Sequence, residues 1–556
     1  MSSSSLLDRQ PANRRVDRIA WIATTIIISL LLVIPKLLQH ASLNTWDLDT
    51  GVYTNFAWAL ANGEGFIGSV LGRHHLGEHF SPIMLLVAPL YLVWPSAYVL
   101  MLLQGLAVAS GILLALWFAD ARLAQSGMTV ERFGRDAAAV RTAASALLLI
   151  LCFFHPSIIA TWQYQFQPIE LGLPLLILAI IALHQRRWVL MGLMVLLVLM
   201  TRESAPLSIL GMAIYGALVP EAAGGTRQAR WVCVLALLLV ASAWGGIAFG
   251  VIMPSFRSEL WGHTQYIGPW EHLRKKLDYV IILVGAFGFL PLVGRRAVAC
   301  VAAAAPGVLL NLATRRETQF AFMAHYDAQI VAFLLVGTGH GMAYIAQGLL
   351  QWRQRTLARS APLLPPRNEW RQPKMVGLAL AIAVLVAALI CFDRADAKYP
   401  HRIAARWIPD AKSRAIIAEA RELADRYRDA PALAAYAQIG PQIAHRPRYM
   451  TIRITKNRPS WLRWSSRRLE PGTILIVPTE QFTDYSTLRR FVRRLHWAEP
   501  LERTTFFEVW RWPDHAPRPG TVEAEAFVDA GMRQPQRPEP FADPSPLELP
   551  PVTLQR

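Results

Sequence analysis

Residues 19–38 read IAWIATTIIISLLLVIPKLL, an apolar run broken by a single proline and a single lysine. An α-helix needs about 20 apolar residues to cross the hydrocarbon core of a bilayer, because it rises only about 1.5 Å per residue. No small-residue cleavage site follows this run, so it predicts an uncleaved first membrane-spanning helix and not a removable signal peptide.

Further apolar runs recur along the chain, and each is a candidate span. They lie at about 97–119, 142–162, 171–184, 188–200, 205–220, 232–253, 279–294, 297–312, 328–349 and 375–392. Several are shorter than a lone span requires, so we expect these to be kinked, tilted or sheltered by their neighbours. The run 82–95 is shorter still and holds two prolines, which predicts a re-entrant or interfacial helix. The sequence therefore predicts an α-helical polytopic membrane protein with about eleven spans.

The composition supports this fold class and excludes others. Hydrophobic residues make up 54% of the 556 residues and charged residues only 17%, whereas a soluble globular chain has about 25% charged residues. A cytosolic enzyme, a disordered protein and a disulfide scaffold are excluded. The net charge of +18 is dispersed among the spans, which favours membrane placement over a nucleic-acid partner. The four cysteines fall inside apolar runs without metal-like spacing and are interpreted as buried apolar side chains.

The arginines and lysines of the short loops indicate the orientation, since such residues concentrate on the cytoplasmic side. Residues 1–18 are predicted to form a cytoplasmic tail and residues 19–392 a multi-span domain whose outer loop is 40–82. Residues 393–514 then form an extracytoplasmic domain, although the basic loop 254–278 fits the charge rule badly. The expected location is the bacterial inner membrane, with the N-terminus inside.

Residues 393–514 change in character. An amphipathic segment, SRAIIAEARELADRYR, predicts a helix, and the runs TILIVP and TTFFEVWRW predict strands, with a helix-like TLRRFVRRL between them. This pattern is typical of a small α/β domain. The tail 515–556 is rich in proline and acidic residues and is expected to be disordered.

The outer loop 40–82 contains the residues best suited to chemistry. Asp47 and Asp49 lie beside Trp46 and Tyr53; an aromatic face can stack on a sugar, and a carboxylate can accept a hydroxyl proton. The structural alternative is that both aspartates cap the predicted helix 52–61. The Asp-x-Asp triplet could instead bind a divalent cation, and so could His75 and His79 with Glu78, but no metal ligand is assigned.

Several short motifs together resemble an uncharacterised bacterial membrane family known as domain of unknown function 2079. They begin in the outer loop and continue to residue 446. The matching stretches are Trp46-Asp47-Leu48, Gly51-Val52-Tyr53, His79-Phe80-Ser81-Pro82-Ile83, Gln165 to Glu170, Arg202-Glu203-Ser204, His325-Tyr326 and Gly440 to Arg446. Gln167 stands where that family usually has histidine and Ser204 where it has aspartate, which leaves open whether the activity is altered or lost.

That family is distantly similar to the C-type (GT-C) glycosyltransferases, which transfer sugars from polyprenyl phosphates and place an essential acidic residue in the first outer loop. The resemblance implies a GT-C-like fold and a polyprenyl-phosphate sugar as donor, beside membrane lipid and an unidentified acceptor. It also implies that an acidic residue of this loop, assigned as Asp47, is the general base. Asp49, in the same Asp-x-Asp triplet, is assigned as a second catalytic residue.

The predicted topology places the other matched ionisable groups at the same outer face as Asp47. Charged groups at a membrane boundary are costly unless they are paired or functional. We therefore assign substrate-binding roles to a set of outer-face residues, with Arg202, Arg315 or Arg316 as partners of the lipid phosphate. The set is Trp46, Tyr53, His79, Glu170, Arg202, Glu203, His325 and Tyr326. The alternative function is a transporter or lipid-handling protein, in which these groups would line a passage.

Overall fold

The computed structural model describes residues 14–70, 73–127, 135–223, 226–256, 267–359, 371–395, 407–452, 471–482 and 500–512. By their contacts the residues form two compact units. Among the described residues, the first contains those up to Ala418 together with residues 438–449, and the second contains residues 419–437 together with those from Met450 onward. The tail 515–556, the segment TLRRFVRRL and most of the N-terminal tail lie outside the described residues.

The first unit is built from α-helices, as its apolar runs predict. Its helices up to the middle of the chain are α1 (Arg14–Ala41), α2 (Val52–Ala61), α3 (His75–Glu78), α4 (Met84–Val93), α5 (Tyr98–Gln125), α6 (Arg135–Phe154), α7 (Pro156–Gln163), α8 (Gly172–His184), α9 (Trp188–Leu199) and α10 (Pro206–Leu218). They are followed by α11 (Arg227–Ile247), α12 (Leu273–Gly285), α13 (Arg295–Ala313), α14 (Ala328–Arg359) and α15 (Arg371–Arg394). A short hairpin, β1 (Ile67–Gly68) with β2 (Arg73–His74), lies in the outer loop.

Six helices of the described residues are long and apolar enough to cross a membrane, and a seventh span results if α6 and α7, bent by 59°, are counted as one. These correspond to seven of the eleven predicted spans. The other four runs form the shorter helices α8, α9, α10 and α12. Helix α4, which contains Pro89, has the short length expected for a non-spanning segment.

The predicted span 279–294 is broken in the structure. Helix α12 ends at Gly285, and the next residues turn with positive φ at Gly288 and Phe289 before a short 3₁₀ turn over Leu290–Leu292. A Cβ on Gly288 would lie 2.4 Å from a side-chain carbon of Val384, so glycine is needed there for space as well as for its backbone conformation. A hydropathy pattern does not report such a turn.

The core of this unit surrounds α14. In an apolar 18-residue stretch of its span 89% of the residues are buried, compared with 17% in the corresponding stretch of α15, so α14 is central and α15 peripheral. Close approach between helices depends on small residues: a Cβ at Gly211 of α10 would lie 2.1 Å from the carbonyl oxygen of Ala303 in α13. The exposed apolar side chains of α1 and α15 are those expected at a lipid-facing surface.

A buried carboxylate links four segments just before α14. Asp327 ends a 3₁₀ turn that also contains His325 and Tyr326. Its oxygens accept hydrogen bonds from Tyr279 (2.6 Å), Asn311 (3.0 Å) and Ser157 (2.8 Å). Since each donor comes from a different helix, this network holds the turn firmly in the bundle.

The second unit contains a mixed sheet with the strand order β4-β3-β5-β7-β6. Strand β3 pairs in parallel with β5, and β7 pairs antiparallel with β5 and β6. The strands are β3 (Leu433–Tyr436), β4 (Tyr449–Ile452), β5 (Ile474–Pro478), β6 (Glu502–Arg503) and β7 (Phe507–Arg511). The predicted amphipathic helix is present as α16 (Ala411–Arg426), and the two predicted strand runs contain β5 and β7. The α/β character of the C-terminal part is thereby confirmed.

Candidate functional site

The two outer-loop aspartates belong to one tight turn but contact different residues. A π-helical turn over Asp47–Gly51 follows α1 and leads directly into α2. Asp47 is fully buried, and its Oδ2 accepts a 2.6 Å hydrogen bond from the hydroxyl of Tyr449. Asp49 is partly exposed. Neither aspartate caps α2, whose N-cap residue is Gly51 and has no side-chain cap bond.

Asp49 lies among hydrogen-bond donors and positive charges. The side-chain amide of Gln167 donates to its Oδ1, and Tyr164 donates a further hydrogen bond. Burial raises the pKa of Asp49, and the hydrogen bonds and the charges of His79 and Arg202 offset only part of that rise. A carboxylate with a raised pKa is a better proton acceptor near neutral pH than an ordinary aspartate.

Arg202 and Glu203 occupy the connection between α9 and α10. The carboxylate of Glu203 accepts hydrogen bonds from His79 Nδ1 (3.1 Å) and from the backbone amide of Phe80 (3.1 Å), and Arg202 Nε lies 3.4 Å from it. Burial would raise the pKa of Glu203, but His79 and Arg202 outweigh that effect and lower it. Glu203 therefore stays ionised while the pKa of Asp49 moves in the opposite direction, a separation typical of sites in which two carboxylates have different roles.

His325 completes the group around the guanidinium. Arg202 Nη1 donates to His325 Nε2 at 2.5 Å, and the ring of Tyr326 lies 5.9 Å from the guanidinium carbon. Because a guanidinium only donates, His325 Nε2 must be the acceptor, which makes this histidine neutral with its proton on Nδ1. The ring of Tyr164 lies 5.3 Å from that of His325. Arg202 is thus held on two sides by residues from separate parts of the chain.

The structure brings most of the predicted site residues together. His79, Arg202, Glu203, His325 and Tyr326 form one connected group. Asp49 joins it through Tyr164, which is hydrogen-bonded to Asp49 and whose ring lies 5.3 Å from that of His325. Trp46 contributes its backbone amide to Gln165 (2.9 Å), and Tyr53 is buried with its ring edge against Phe166. Glu170 is completely buried, and its carboxylate accepts from the backbone amide of Gln167. Arg315 is exposed, 3.9 Å from Glu271.

Sequence reasoning missed three residues of this site. Tyr164 and Gln167 contact Asp49, and Tyr449 contacts Asp47. Gln167 was recognised only as a departure from the usual histidine, yet its amide supplies a donor to Asp49, as a histidine ring can. For Tyr449, the only signal in the sequence was its position, three residues beyond the Gly440–Arg446 motif.

The structure also bears on the metal alternative. The ring of His75 stacks on Phe56 with centroids 3.8 Å apart, and burial lowers the pKa of His75 to about 3. His79, by contrast, is bonded to Glu203. Within the described residues, no group of three or more histidine, cysteine, aspartate or glutamate side chains is arranged to hold a metal ion.

The fold and this site define the class: a multi-pass α-helical membrane protein with an acidic and basic polar site built from its loops. The chain belongs to the family of predicted membrane proteins described as DUF2079, whose model matches residues 39–471. The family indicated by the motifs is thereby confirmed.

Two similar solved structures are of ArnT from Cupriavidus metallidurans. The structure bound to undecaprenyl phosphate has a TM-score of 0.48 and 11% identity, covering 90% of this chain and 98% of that one. The apo structure has a TM-score of 0.46 and 13% identity, with coverages of 89% and 98%. No protein of curated function matches the sequence.

Proposed function

We propose that this protein is an integral-membrane glycosyltransferase that takes a sugar from a lipid-phosphate donor on the extracytoplasmic face. The observation that supports the proposal is that Asp49, a carboxylate whose pKa is raised by burial, is hydrogen-bonded to Tyr164, whose ring lies 5.3 Å from that of His325, the acceptor of the Arg202 guanidinium. A proton acceptor and a phosphate-binding cation are the two groups that such a transfer requires. The distant similarity of the DUF2079 family to GT-C enzymes supports the same reaction.

The general base proposed here is Asp49, whereas sequence reasoning placed it at Asp47. Asp47 is 0% exposed and bonded to Tyr449, so its oxygens are poorly placed to meet an acceptor. Asp49 is partly exposed and lies within the electrostatic influence of Arg202 and His79. Its carboxylate would accept the proton of the acceptor hydroxyl as that oxygen attacks the anomeric carbon of the donor.

Arg202 is proposed to bind the donor phosphate. A guanidinium has five N–H groups, and here Nε and Nη1 each use one, so three remain without a hydrogen-bond partner among the described residues. Two phosphate oxygens match such a fork. As the sugar–oxygen bond to phosphate breaks, the electron pair passes to the phosphate and the guanidinium stabilises the added charge. A single displacement of this kind inverts the anomeric carbon.

The direct test is product formation. Membranes containing the protein are incubated with radiolabelled polyprenyl-phosphate sugars, and sugar transfer to lipid or polymer acceptors is followed by thin-layer chromatography. We expect a product that is absent with the Asp49→Asn variant. Uptake of a labelled solute into sealed vesicles, unaffected by Asp49→Asn and without any transfer product, would instead favour the transporter alternative.

The rate of transfer is expected to fall as the pH is lowered. The fall should occur at a higher pH than it would for an ordinary aspartate, whose pKa is about 3.9. Burial raises the pKa of Asp49, and only its deprotonated form can accept a proton, so activity is lost as pH falls through that raised value. Glu203 has a lowered pKa and does not contribute to this limb. The measurement is kcat/KM against pH. An acid limb that persists in the residual activity of Asp49→Asn would contradict this origin.

The proposed face requires the outer loop to be accessible from outside the cell. Glu64 and Gln125 are both exposed, and all four native cysteines are buried, so single new cysteines can be followed in the natural background. We expect Glu64→Cys, but not Gln125→Cys, to react with a membrane-impermeant maleimide on intact cells. Both should react after permeabilisation. Reaction of Gln125→Cys on intact cells would reverse the orientation.

A further inference from the structure

Residues 438–449, here called the clasp, lie about 400 positions after the Asp47–Gly51 turn and pack against it within the first unit. On both sides the chain belongs to the second unit. The clasp makes hydrogen bonds with the end of α1 and the outer loop. They join Gln438 to Leu43 O (3.0 Å), Gln442 to His40 O (2.8 Å), Asn55 to Ala444 O (3.0 Å) and Arg446 O (2.9 Å), and Tyr449 N to Ser69 Oγ (2.9 Å).

Asn55, in α2, makes the most hydrogen bonds of these residues. Its side-chain amide nitrogen donates to the two clasp carbonyls, while its Oδ1 accepts from the backbone amide and the hydroxyl of Ser69, both at 2.9 Å. It is only 2% exposed. Both N–H groups of the amide and the two-bond capacity of Oδ1 are thus satisfied at once, so the clasp, the hairpin loop and α2 are held in one arrangement.

Asp47 is enclosed by the clasp. The hydroxyl of Tyr449 donates to its Oδ2 at 2.6 Å, and a Cβ placed on Gly440 would lie 1.6 Å from Oδ1 and 2.0 Å from Oδ2. A Cβ on Gly51, in the same turn as Asp47, would lie 2.2 Å from Oδ1. The carboxylate therefore packs closely against two glycines, and any side chain at position 440 must displace it.

We infer that the clasp is the positioning element of the active site and that Asp47 is its anchor, not the chemical base. Asp47 begins the turn that contains Asp49, so holding Asp47 between Tyr449 and Gly440 fixes where the Asp49 carboxylate lies relative to Arg202. This inference rests on the proposed function, because Asp49 is the positioned group. The site is consequently incomplete without a segment that the C-terminal part of the chain supplies.

The experiment compares four variants in proteoliposomes. Its readouts are kcat, the donor KM and the maleimide reactivity of an added cysteine. That cysteine, Ala444→Cys, replaces a buried residue of the clasp. Tyr449→Phe removes the donor to Asp47, and Gly440→Ala removes its space. We expect both to lower kcat by about 10²-fold with an unchanged donor KM, because a misplacement of about 1 Å can cost that much. The reactivity of residue 444 should rise in both.

The conservative variant Asp47→Asn keeps an oxygen for the Tyr449 hydroxyl, and we expect it to lose less than about tenfold in kcat, since the anchor survives. Asp47→Ala should behave like Tyr449→Phe. The matched controls are Tyr344→Phe, at an exposed tyrosine, and Gly192→Ala, where an added Cβ has no atom within 4 Å. Neither control should change the clasp or the rate.

Two outcomes would overturn the inference. If residue 444 becomes reactive in Tyr449→Phe while kcat is unchanged, the clasp has a structural role only. If Asp47→Asn abolishes transfer while residue 444 stays protected, Asp47 takes part in the chemistry. Failure of the proposed function is distinguished from both, since the wild-type protein itself would then form no transfer product. The reactivity of residue 444 reports clasp docking even without an activity.

Discussion

Replacing Asp49 by asparagine is expected to lower the rate of sugar transfer by about 10²–10⁴-fold, the usual cost of removing a general base. Asparagine has nearly the same shape and can still interact with Gln167, which now donates to the carboxylate. The fold and the donor KM should therefore change little, so that the loss appears in kcat. The measurement is steady-state transfer by purified protein in liposomes, together with a thermal unfolding curve.

The neighbouring aspartate is the matched control for this variant. Asp47→Asn makes the same chemical change two residues away, at a carboxylate that is fully buried. Equal losses at both positions, together with loss of activity on chelation, would favour a cation held by the Asp-x-Asp pair and would remove Asp49 as base. Full activity of Asp49→Asn would contradict the assignment outright.

The second large effect is expected at Arg202. Arg202→Ala should raise the donor KM by more than about tenfold, since a charge-assisted pair with phosphate contributes about 1.5–3 kcal/mol. Arg202→Lys should cause a smaller increase, because an ammonium offers one compact charge where the guanidinium offers a planar fork. Loss of Arg202 does not isolate Glu203, which keeps its bonds from His79 and the Phe80 amide. We therefore expect the variant to fold.

A structural role for Arg202 predicts a different pattern. If it merely pairs with Glu203, then Glu203→Gln should destabilise the protein as much as Arg202→Ala does, and the donor KM should not change. Arg141→Lys is a suitable control, because Arg141 makes a two-point pair with Asp120 at 2.6 and 2.5 Å outside the proposed site. That substitution should alter stability alone. An unchanged KM in Arg202→Ala would exclude this residue as the phosphate ligand.

Much of the fold follows from short stretches of sequence. The apolar runs predicted the membrane-spanning helices, and α2, α16, β5 and β7 lie where local patterns placed them. Such predictions succeed because helix length and hydropathy depend on neighbouring residues and on the thickness of the bilayer. The break after Gly285 was missed, since it depends on packing against Val384, almost 100 residues away.

The candidate site, too, could be predicted from the sequence only in part. Sequence alone predicted that Asp47, His79, Glu170, Glu203 and His325 lie at one membrane face, because the order of the predicted spans determines the side on which each loop emerges. Which aspartate contacts the residues around Arg202 was decided only by the tertiary structure. The sequence motif favours Asp47, but Tyr449 and Gly440 enclose that residue, whereas Asp49 is hydrogen-bonded to Gln167 and Tyr164. The physical reason is that burial and hydrogen bonding, which give chemically identical carboxyl groups different roles, arise from contacts between residues about 400 positions apart.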